Sequence, residues 1–207
     1  MNALDIKKAM RSICTLMTEN RDYLVELDAQ NGDGDLGVSM SAGYTAAAAF
    51  LEGAEETDLG KLIMQCSGVF NEAAPSSLGT ITCFGMMGMA KALKGKCEAT
   101  LAETAEAFEA GIQTIMARAG SKPGEKTILD ALCPAVAALK AHDGADKKAA
   151  FQAAFDAAAA GSESTREMRS VHGRAAYYGD KSIGILDGGS VVGKLIFEGI
   201  LHSVLSE

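Results

Sequence analysis

The chain has 207 residues, of which 48% are hydrophobic and 5% aromatic, and a formal net charge of −8 at pH 7. That length suits one domain, so residues 1–207 are predicted to form a single domain. The acidic balance, without a Lys/Arg stripe interleaved with aromatic side chains, argues against nucleic-acid binding. No apolar run reaches the roughly 18 residues of a membrane helix, and the charged, amphipathic start is unlike a signal peptide, so a soluble cytoplasmic protein is expected.

Helical periodicity dominates the chain and predicts eight helices. The first carries an apolar stripe from Ile6 to Leu24 and ends near Asp28. The others are predicted over residues 40–51, 59–70, 78–93, 100–118, 127–144, 145–165 and 191–205. Thr100 with Glu103 forms a capping-box signature at the start of the fifth helix. Because most connections are short, an all-α fold is expected, an antiparallel up-and-down bundle or barrel of eight helices.

Four irregular segments separate these helices, over residues 28–39, 71–80, 118–127 and 171–190. Each is dense in Gly, Pro, Ser or charged residues. They follow the first, third, fifth and seventh predicted helices, so an alternating bundle brings all four to the same rim. A functional site is therefore expected at that rim. Residues 181–189 are a weak alternative as a short strand, but nothing offers them a partner sheet.

Three aspartates, Asp28, Asp33 and Asp35, lie in the first irregular segment. Carboxylates held in one turn-rich loop repel each other by about 1 kcal/mol per pair even when hydrated. Two oxygen-preferring divalent cations would remove that repulsion, and Mg²⁺ is the natural candidate. The alternative is a solvated acidic turn that caps the next helix. An EF-hand is excluded because, counted from Asn31, position six is Leu36 rather than glycine.

The three other irregular segments also contain candidate site residues. Ser76, Ser77 and Thr80 surround the start of a helix, where backbone amides and hydroxyls suit a phosphate, although an ordinary N-cap explains them equally. Residues 121–127 form a turn that carries local charges, which by itself is weak evidence for a functional site. Arg174 and Asp187 lie in a glycine-rich stretch whose length and lack of periodicity are typical of a functional loop.

The stretch "GGSVVGKL" at residues 188–195 satisfies most of the phosphate-loop pattern. Its last position is Leu195, which has no hydroxyl for Mg²⁺, and only twelve residues follow. A true phosphate loop is therefore not expected, and Lys194 is predicted to lie on an exposed helix face.

Three stretches match a known pattern in order and spacing: "LDAQNGDGDLGVSM", "RAGSKPGEKTILDALCPAVAAL" and "GRAAYYGDKSIGILDGGS". The chain thereby resembles the L subunit of dihydroxyacetone kinase, the nucleotide-binding DhaL family, over nearly its whole length. The resemblance implies an eight-helix barrel that holds ADP or ATP at one rim through two Mg²⁺ ions. Asp28, Asp33 and Asp35 would be the Mg²⁺ ligands.

The resemblance also implies nucleotide contacts at the rim, with Ile128 near the adenine. The full set is Leu36, Gly37, Val38, Ser39, Ser76, Ser77, Thr80, Ala119, Ile128, Arg174, Asp187, Gly188 and Gly189. Some positions depart from the family pattern: Leu36 replaces a histidine, Ser39 an asparagine and Ala119 a glycine. Since "AAPSSLG" stands for the usual "GGxSG" type, the phosphate contact falls to Ser76 or Ser77.

The implied chemistry is phosphoryl transfer by a kinase subunit that acts on an alcohol group. Beyond the metal ligands, no residue of the loops is an obvious catalytic base, which fits a family whose separate K subunit holds a short-chain ketose through its own histidine. The donor is either exchanging ATP or bound ADP rephosphorylated by a phosphotransferase-system M subunit, and a homodimer is a further option. Alternatives are a nucleotide-binding regulator signalling to a transcription factor or metabolic partner, and, more weakly, a fatty-acid-kinase-like domain.

Overall fold

The computed structural model describes residues 1–142 and 146–206, and helices dominate them. The α-helices are α1 Ala3–Glu19, α2 Arg21–Asp28, α3 Leu36–Gly53, α4 Leu59–Ala73, α5 Ser77–Ala92, α6 Leu101–Ala119, α7 Leu129–Ala141, α8 Lys147–Ser164 and α9 Gly188–Leu205. Two 3₁₀ segments, Thr165–Glu167 and Arg174–Ser182, lie between α8 and α9. Within the described residues no strand forms beyond one isolated bridge, so the strand alternative for residues 181–189 is wrong.

The helices close into a ring. From α3 to α9 each helix packs against the next, and α1 packs against both α9 and α3. With α1 and α2 counted as one, eight helical units surround a continuous hydrophobic core. In this core the rings of Tyr44 and Phe70 pack edge to face, with 5.0 Å between their centroids. Small residues allow close contact: an added Cβ at Gly88 of α5 would lie 2.5 Å from the carbonyl oxygen of Ala110 in α6. The predicted all-α barrel is confirmed.

The helix boundaries differ from the prediction in three places. The first predicted helix is divided at Asn20, whose backbone N–H and side-chain amide both donate to the carbonyl oxygen of Leu16. Helices α3 and α9 begin one turn earlier than predicted, at Leu36 and Gly188. Helix α7 ends at Ala141, and the predicted end of that helix near residue 144 lies outside the described residues.

Helix α9 is a long and strongly apolar helix of the barrel. Its 18 residues have a mean hydropathy of 1.2, which by length and composition is enough to cross a membrane, so the expectation that no apolar segment reaches this length is wrong. However, 56% of the helix is buried against its neighbours, and it packs on α1, α7 and α8. Its hydropathy is therefore that of a core helix.

An apolar cavity of about 190 Å³ lies inside the ring, and Thr82 of α5 lines it. The Thr82 hydroxyl is buried without a hydrogen-bond partner among the described residues. Replacement by the isosteric valine removes this unsatisfied group, so Thr82→Val should raise the free energy of unfolding by about 1 kcal/mol. Urea denaturation measures this change.

The matched control is Thr104→Val. Thr104 lines the same cavity, but its hydroxyl donates to the carbonyl oxygen of Thr100 at 2.7 Å. This second substitution should therefore lower stability. A change of the same sign in both variants would show that the unsatisfied hydroxyl is not the cause.

Candidate functional site

The four irregular segments meet at one end of the barrel, called the rim below. Arg174 pairs with Asp33 at 2.8 Å and links the fourth segment to the first. The Ser76 hydroxyl donates to the Ser39 hydroxyl at 3.1 Å and links the second segment to the first. Lys126 of the third segment donates to the backbone carbonyl groups of Ser182 and Ile185 within the fourth segment and of Met168 just before it. The predicted convergence is confirmed.

Four helix N-termini lie together at this rim. Helices α3, α5 and α9 each begin within the last residues of one of the four segments, and α7 begins just after the third. Their first turns are close: an added Cβ at Gly188 would lie 2.4 Å from the Leu36 side chain, and one at Gly189 would lie 3.3 Å from the backbone nitrogen of Ile128. Helix N-termini carry partial positive charge and free N–H groups. The rim of this acidic protein therefore favours an anion such as phosphate.

The three aspartates form a compact cluster on the rim. Asp28, Asp33 and Asp35 each offer a carboxylate oxygen that lies within 4.8 Å of the other two. Asp28 ends α2, and its carboxylate accepts the Gly34 N–H at 2.7 Å. Gly34 has a φ of +76°, a left-handed conformation that glycine adopts without strain, so the chain can turn back on Asp28. All donors in this set are carboxylate oxygens, which suit Mg²⁺.

Asp35 distinguishes the metal interpretation from the capping interpretation. It occupies the N-cap position of α3, yet its side chain makes no capping hydrogen bond. Burial, followed by the charges of Asp33 and Asp28, raises the pKa of Asp35, and the charge of Arg174 only partly offsets this. The ligand-free cluster is thus electrostatically strained. A cation would relieve this repulsion, whereas a capping role leaves it unexplained.

The second segment presents two serines with different surroundings. Ser76 is the N-cap of α5 and accepts the Gly79 N–H at 3.1 Å, while its hydroxyl donates to Ser39. Thr80 is exposed, and its hydroxyl donates to the backbone oxygen of Ser76. Ser77 is exposed in the first turn of α5, and its hydroxyl makes no hydrogen bond within the described residues. Ser77 is therefore the more available of the two candidate phosphate contacts.

Asp187 is the N-cap of α9. Its carboxylate accepts the Ser190 N–H at 2.6 Å, and its own N–H donates to the Thr165 hydroxyl at 3.1 Å. Burial raises the pKa of Asp187 to about 7; the charges of Asp130 and Asp28 act in the same direction, and the bond from Ser190 opposes it. A carboxylate with this pKa is only partly ionised at neutral pH.

The remaining predicted nucleotide-contact residues differ in how deeply they are buried at the rim. Val38 is exposed on the rim, whereas Leu36 and Ile128 are buried, and Ile128 lines the internal cavity. Gly37 is buried where α3 crosses α2; an added Cβ would lie 2.0 Å from the carbonyl oxygen of Arg21. Ala119 is the last residue of α6. Leu36, Gly37 and Ile128 therefore shape the floor of the rim, and Val38 belongs to its surface.

The stretch at residues 188–195 forms the first two turns of α9 rather than a phosphate loop. The prediction that it is not a true phosphate loop is confirmed. Lys194 lies within this helix and is half-buried, so the expected exposed position is wrong.

Lys126 is the residue that the sequence interpretation missed. It lies in the turn before α7, is buried, and has a φ of 62°. Its acceptors, the carbonyl groups of Met168, Ser182 and Ile185, are 42 to 59 positions away in the chain, so no local pattern marks it. Nearby, His172 contacts the carboxylate of Glu125 at 2.6 Å.

A closed antiparallel helical barrel with an acidic cluster and four helix N-termini at one rim defines the class of this protein. Its sequence matches the DAK2 domain family over residues 30–202, and the chain belongs to that family.

The chain is similar to bacterial relatives over most of their length and to a longer human relative over about a third of its length. The chain is 30% identical to the PEP-dependent dihydroxyacetone kinase 1, ADP-binding subunit DhaL, of Listeria innocua, covering 91% of this chain and 90% of that protein. It is 27% identical to the corresponding Escherichia coli subunit, covering 84% of each. It is also 28% identical to human triokinase/FMN cyclase, covering 95% of this chain but 34% of that protein.

Solved structures show the same barrel. The native dihydroxyacetone kinase of C. freundii superposes with a TM-score of 0.78 at 25% identity, covering 98% of this chain. The same kinase in complex with AMP-PNP and Mg²⁺ gives a TM-score of 0.76. This chain spans about a third of that kinase, 35% of the native chain.

Proposed function

We propose that this chain is the ADP- or ATP-binding subunit of a dihydroxyacetone-type, short-chain ketose kinase, and that residues 1–207 act as one nucleotide-binding domain. The observation that carries the proposal is the cluster of Asp28, Asp33 and Asp35 beside four helix N-termini, a rim suited to a polyphosphate with divalent cations. The relatives that this chain covers most fully are ADP-binding subunits, and the similar kinase structure contains AMP-PNP and Mg²⁺.

The three aspartates would hold two Mg²⁺ ions. When bound, these ions would neutralise charge on the phosphate oxygens during phosphoryl transfer. The side chains around them then have separate tasks. Ser77 and the first N–H groups of α5 would bind phosphate, with Ser76, Ser39 and Thr80 fixing that turn.

The other proposed contacts complete the pocket. Arg174 would turn from Asp33 towards a phosphate oxygen. Asp187, Gly188 and Gly189 would border the nucleotide at the start of α9, where the absence of side chains on the glycines permits close approach. An apolar wall for the base would come from the remaining members of the set, namely Leu36, Gly37, Val38, Ala119 and Ile128.

The rim residues described above include no evident base for the substrate hydroxyl. We therefore place the ketose on a separate DhaK-like subunit that docks at the rim in the cytoplasm. Since the bacterial relatives are described as PEP-dependent and ADP-binding, we favour a bound ADP that is rephosphorylated by a phosphotransferase-system M subunit.

Reconstitution tests this function. The purified chain is mixed with a cognate K subunit, dihydroxyacetone and Mg²⁺, with either ATP or the PEP-driven M subunit as phosphoryl source, and ketose phosphate is measured. Product that depends on this chain is expected, and a slow dissociation rate of bound ADP identifies the M-subunit route. Nucleotide binding without any product would instead indicate a purely regulatory subunit.

Arg174→Gln should change metal and nucleotide binding in opposite directions. The Arg174 guanidinium pairs with the Asp33 carboxylate in the ligand-free protein and so competes with a metal ion for that carboxylate. Removal of the guanidinium should therefore tighten Mn²⁺ binding by about threefold. Loss of its guanidinium should weaken ADP binding at saturating Mg²⁺ by about tenfold. Electron paramagnetic resonance and isothermal titration calorimetry measure the two affinities.

Arg169→Gln is the control, because Arg169 pairs at 3.5 Å with Asp180, which is not a member of the cluster. It should leave both affinities unchanged. Weaker Mn²⁺ binding in Arg174→Gln would contradict the competition between Arg174 and the metal.

A further inference from the structure

Lys126 places a buried ammonium group beneath the rim. The side chain is only 4% exposed, and its three N–H donors are all used. They reach the carbonyl oxygens of Met168 at 3.1 Å, Ser182 at 2.6 Å and Ile185 at 2.6 Å. Burial lowers the pKa of Lys126, and the nearby charge of Asp187 opposes that effect. The ammonium thus bonds neutral backbone carbonyls and forms no direct ion pair with any residue that the structure describes.

The backbone of Lys126 adopts a left-handed conformation, which is strained for a residue with a side chain. Its φ of 62° is the only positive φ of a non-glycine residue in the described chain. Such a conformation costs a side-chain-bearing residue about 1 kcal/mol or more, whereas glycine adopts it freely. A lysine at this position is therefore explained by what its side chain binds, since glycine would serve the turn better.

The three carbonyl groups belong to one poorly packed segment, residues 168–185. This segment carries a 3₁₀ stretch instead of an α-helix, and Tyr177 at its centre is 92% exposed. Ser182 ties it internally, because its hydroxyl donates to the Gly179 carbonyl at 2.6 Å and accepts the Ser170 N–H at 2.9 Å. Its other ties to the barrel, such as His172 with Glu125, are partly exposed. Lys126 supplies the buried attachment.

This segment includes Arg174, and Asp187 follows two residues after the last carbonyl that Lys126 binds. We propose that Lys126 is a positioning residue of the nucleotide site, whose ammonium holds residues 168–185 against the start of α7 and so fixes Arg174 and Asp187 at the rim. This inference rests on the proposed nucleotide-binding function. Lys126 acts through the segment that it holds, without touching the nucleotide itself.

Two substitutions test the proposal. Lys126→Met keeps the length of the side chain and removes the ammonium group, and Lys126→Gly also relieves the backbone. Both should weaken Mg²⁺-dependent ADP binding by about tenfold and accelerate amide hydrogen exchange of residues 168–185 by a similar factor. Calorimetry and mass-spectrometric hydrogen exchange on the whole chain measure the two effects.

Two controls separate positioning from general stability. Lys122→Met removes an exposed lysine from the same turn, and Ile200→Val mildly truncates the core roughly 20 Å along α9 from Asp187. Both controls should keep wild-type ADP affinity, even though Ile200→Val lowers the melting temperature.

Three results are decisive. Lys126→Gly with wild-type affinity and exchange would overturn the inference, because the residue would then serve only the turn. Lys126 variants that lose stability like Ile200→Val and keep wild-type affinity would overturn it as well. If the wild-type chain itself fails to bind Mg²⁺-ADP, the proposed function is wrong; in the first two results the wild-type chain does bind, so they show that the positioning role alone is wrong.

Discussion

Asp35→Asn is expected to abolish Mg²⁺-dependent ADP binding while making the ligand-free protein slightly more stable. The Asp35 carboxylate makes no hydrogen bond within the described chain and is repelled by Asp33 and Asp28, so an uncharged isostere relieves strain without breaking a contact. The gain in unfolding free energy should stay below about 1 kcal/mol because the group is largely exposed. Loss of one charged ligand should weaken metal-dependent binding by about a hundredfold or more.

Calorimetric titration of ADP with and without Mg²⁺, together with thermal unfolding in EDTA, tests both halves of this expectation. Glu26→Gln is the matched control: Glu26 is an exposed carboxylate on α2, two residues before Asp28. It should change neither quantity. Unchanged Mg²⁺-dependent affinity in Asp35→Asn would refute the metal site, and lower stability in EDTA would show that the carboxylate has a structural partner after all.

The location of the rim could be predicted from the sequence because it depends only on which helices the irregular segments follow. All four follow odd-numbered predicted helices. Irregular segments that follow alternate helices must emerge at the same end of an up-and-down barrel, whatever their internal structure. The contacts of Arg174 with Asp33 and of Ser76 with Ser39 agree with that argument. The aspartate spacing alone did not distinguish a metal site from a cap, and the uncapped carboxylate of Asp35 now favours the metal site.

Other features depend on contacts between distant parts of the chain and leave no local pattern. The hydrogen bonds of Lys126 span 42 to 59 positions. The division of the first helix at Asn20 involves neither proline nor glycine, the usual signals of a break. The first turns of α3 and α9 contain Gly37 and Gly188. Because glycine has a low helix propensity, the sequence predicted that both helices begin about one turn later than they do. Close packing at the rim overrides that propensity.

Asp187→Asn should stabilise the ligand-free protein at alkaline pH and have little effect at acidic pH. The folded pKa of Asp187, about 7, lies above the unfolded value near 3.8, so the folded state holds the proton more tightly. Stability from this group is therefore fully present below pH 4 and is lost as the pH rises through 7. Asparagine keeps the acceptor for the Ser190 N–H and removes the charge. At pH 8 the gain should be about 2 kcal/mol after allowance for solvent screening.

Urea denaturation in EDTA at pH 5 and pH 8 measures this difference. Asp146→Asn provides the comparison, because Asp146 caps α8 through the N–H groups of Lys148 and Ala149 on an exposed surface. Its effect should not grow with pH. An equal effect of Asp187→Asn at both pH values would show that the carboxylate is not destabilised by burial. A gain that grows with pH, combined with weaker ADP binding, would mean that a carboxylate unfavourable for folding is kept at the rim for binding.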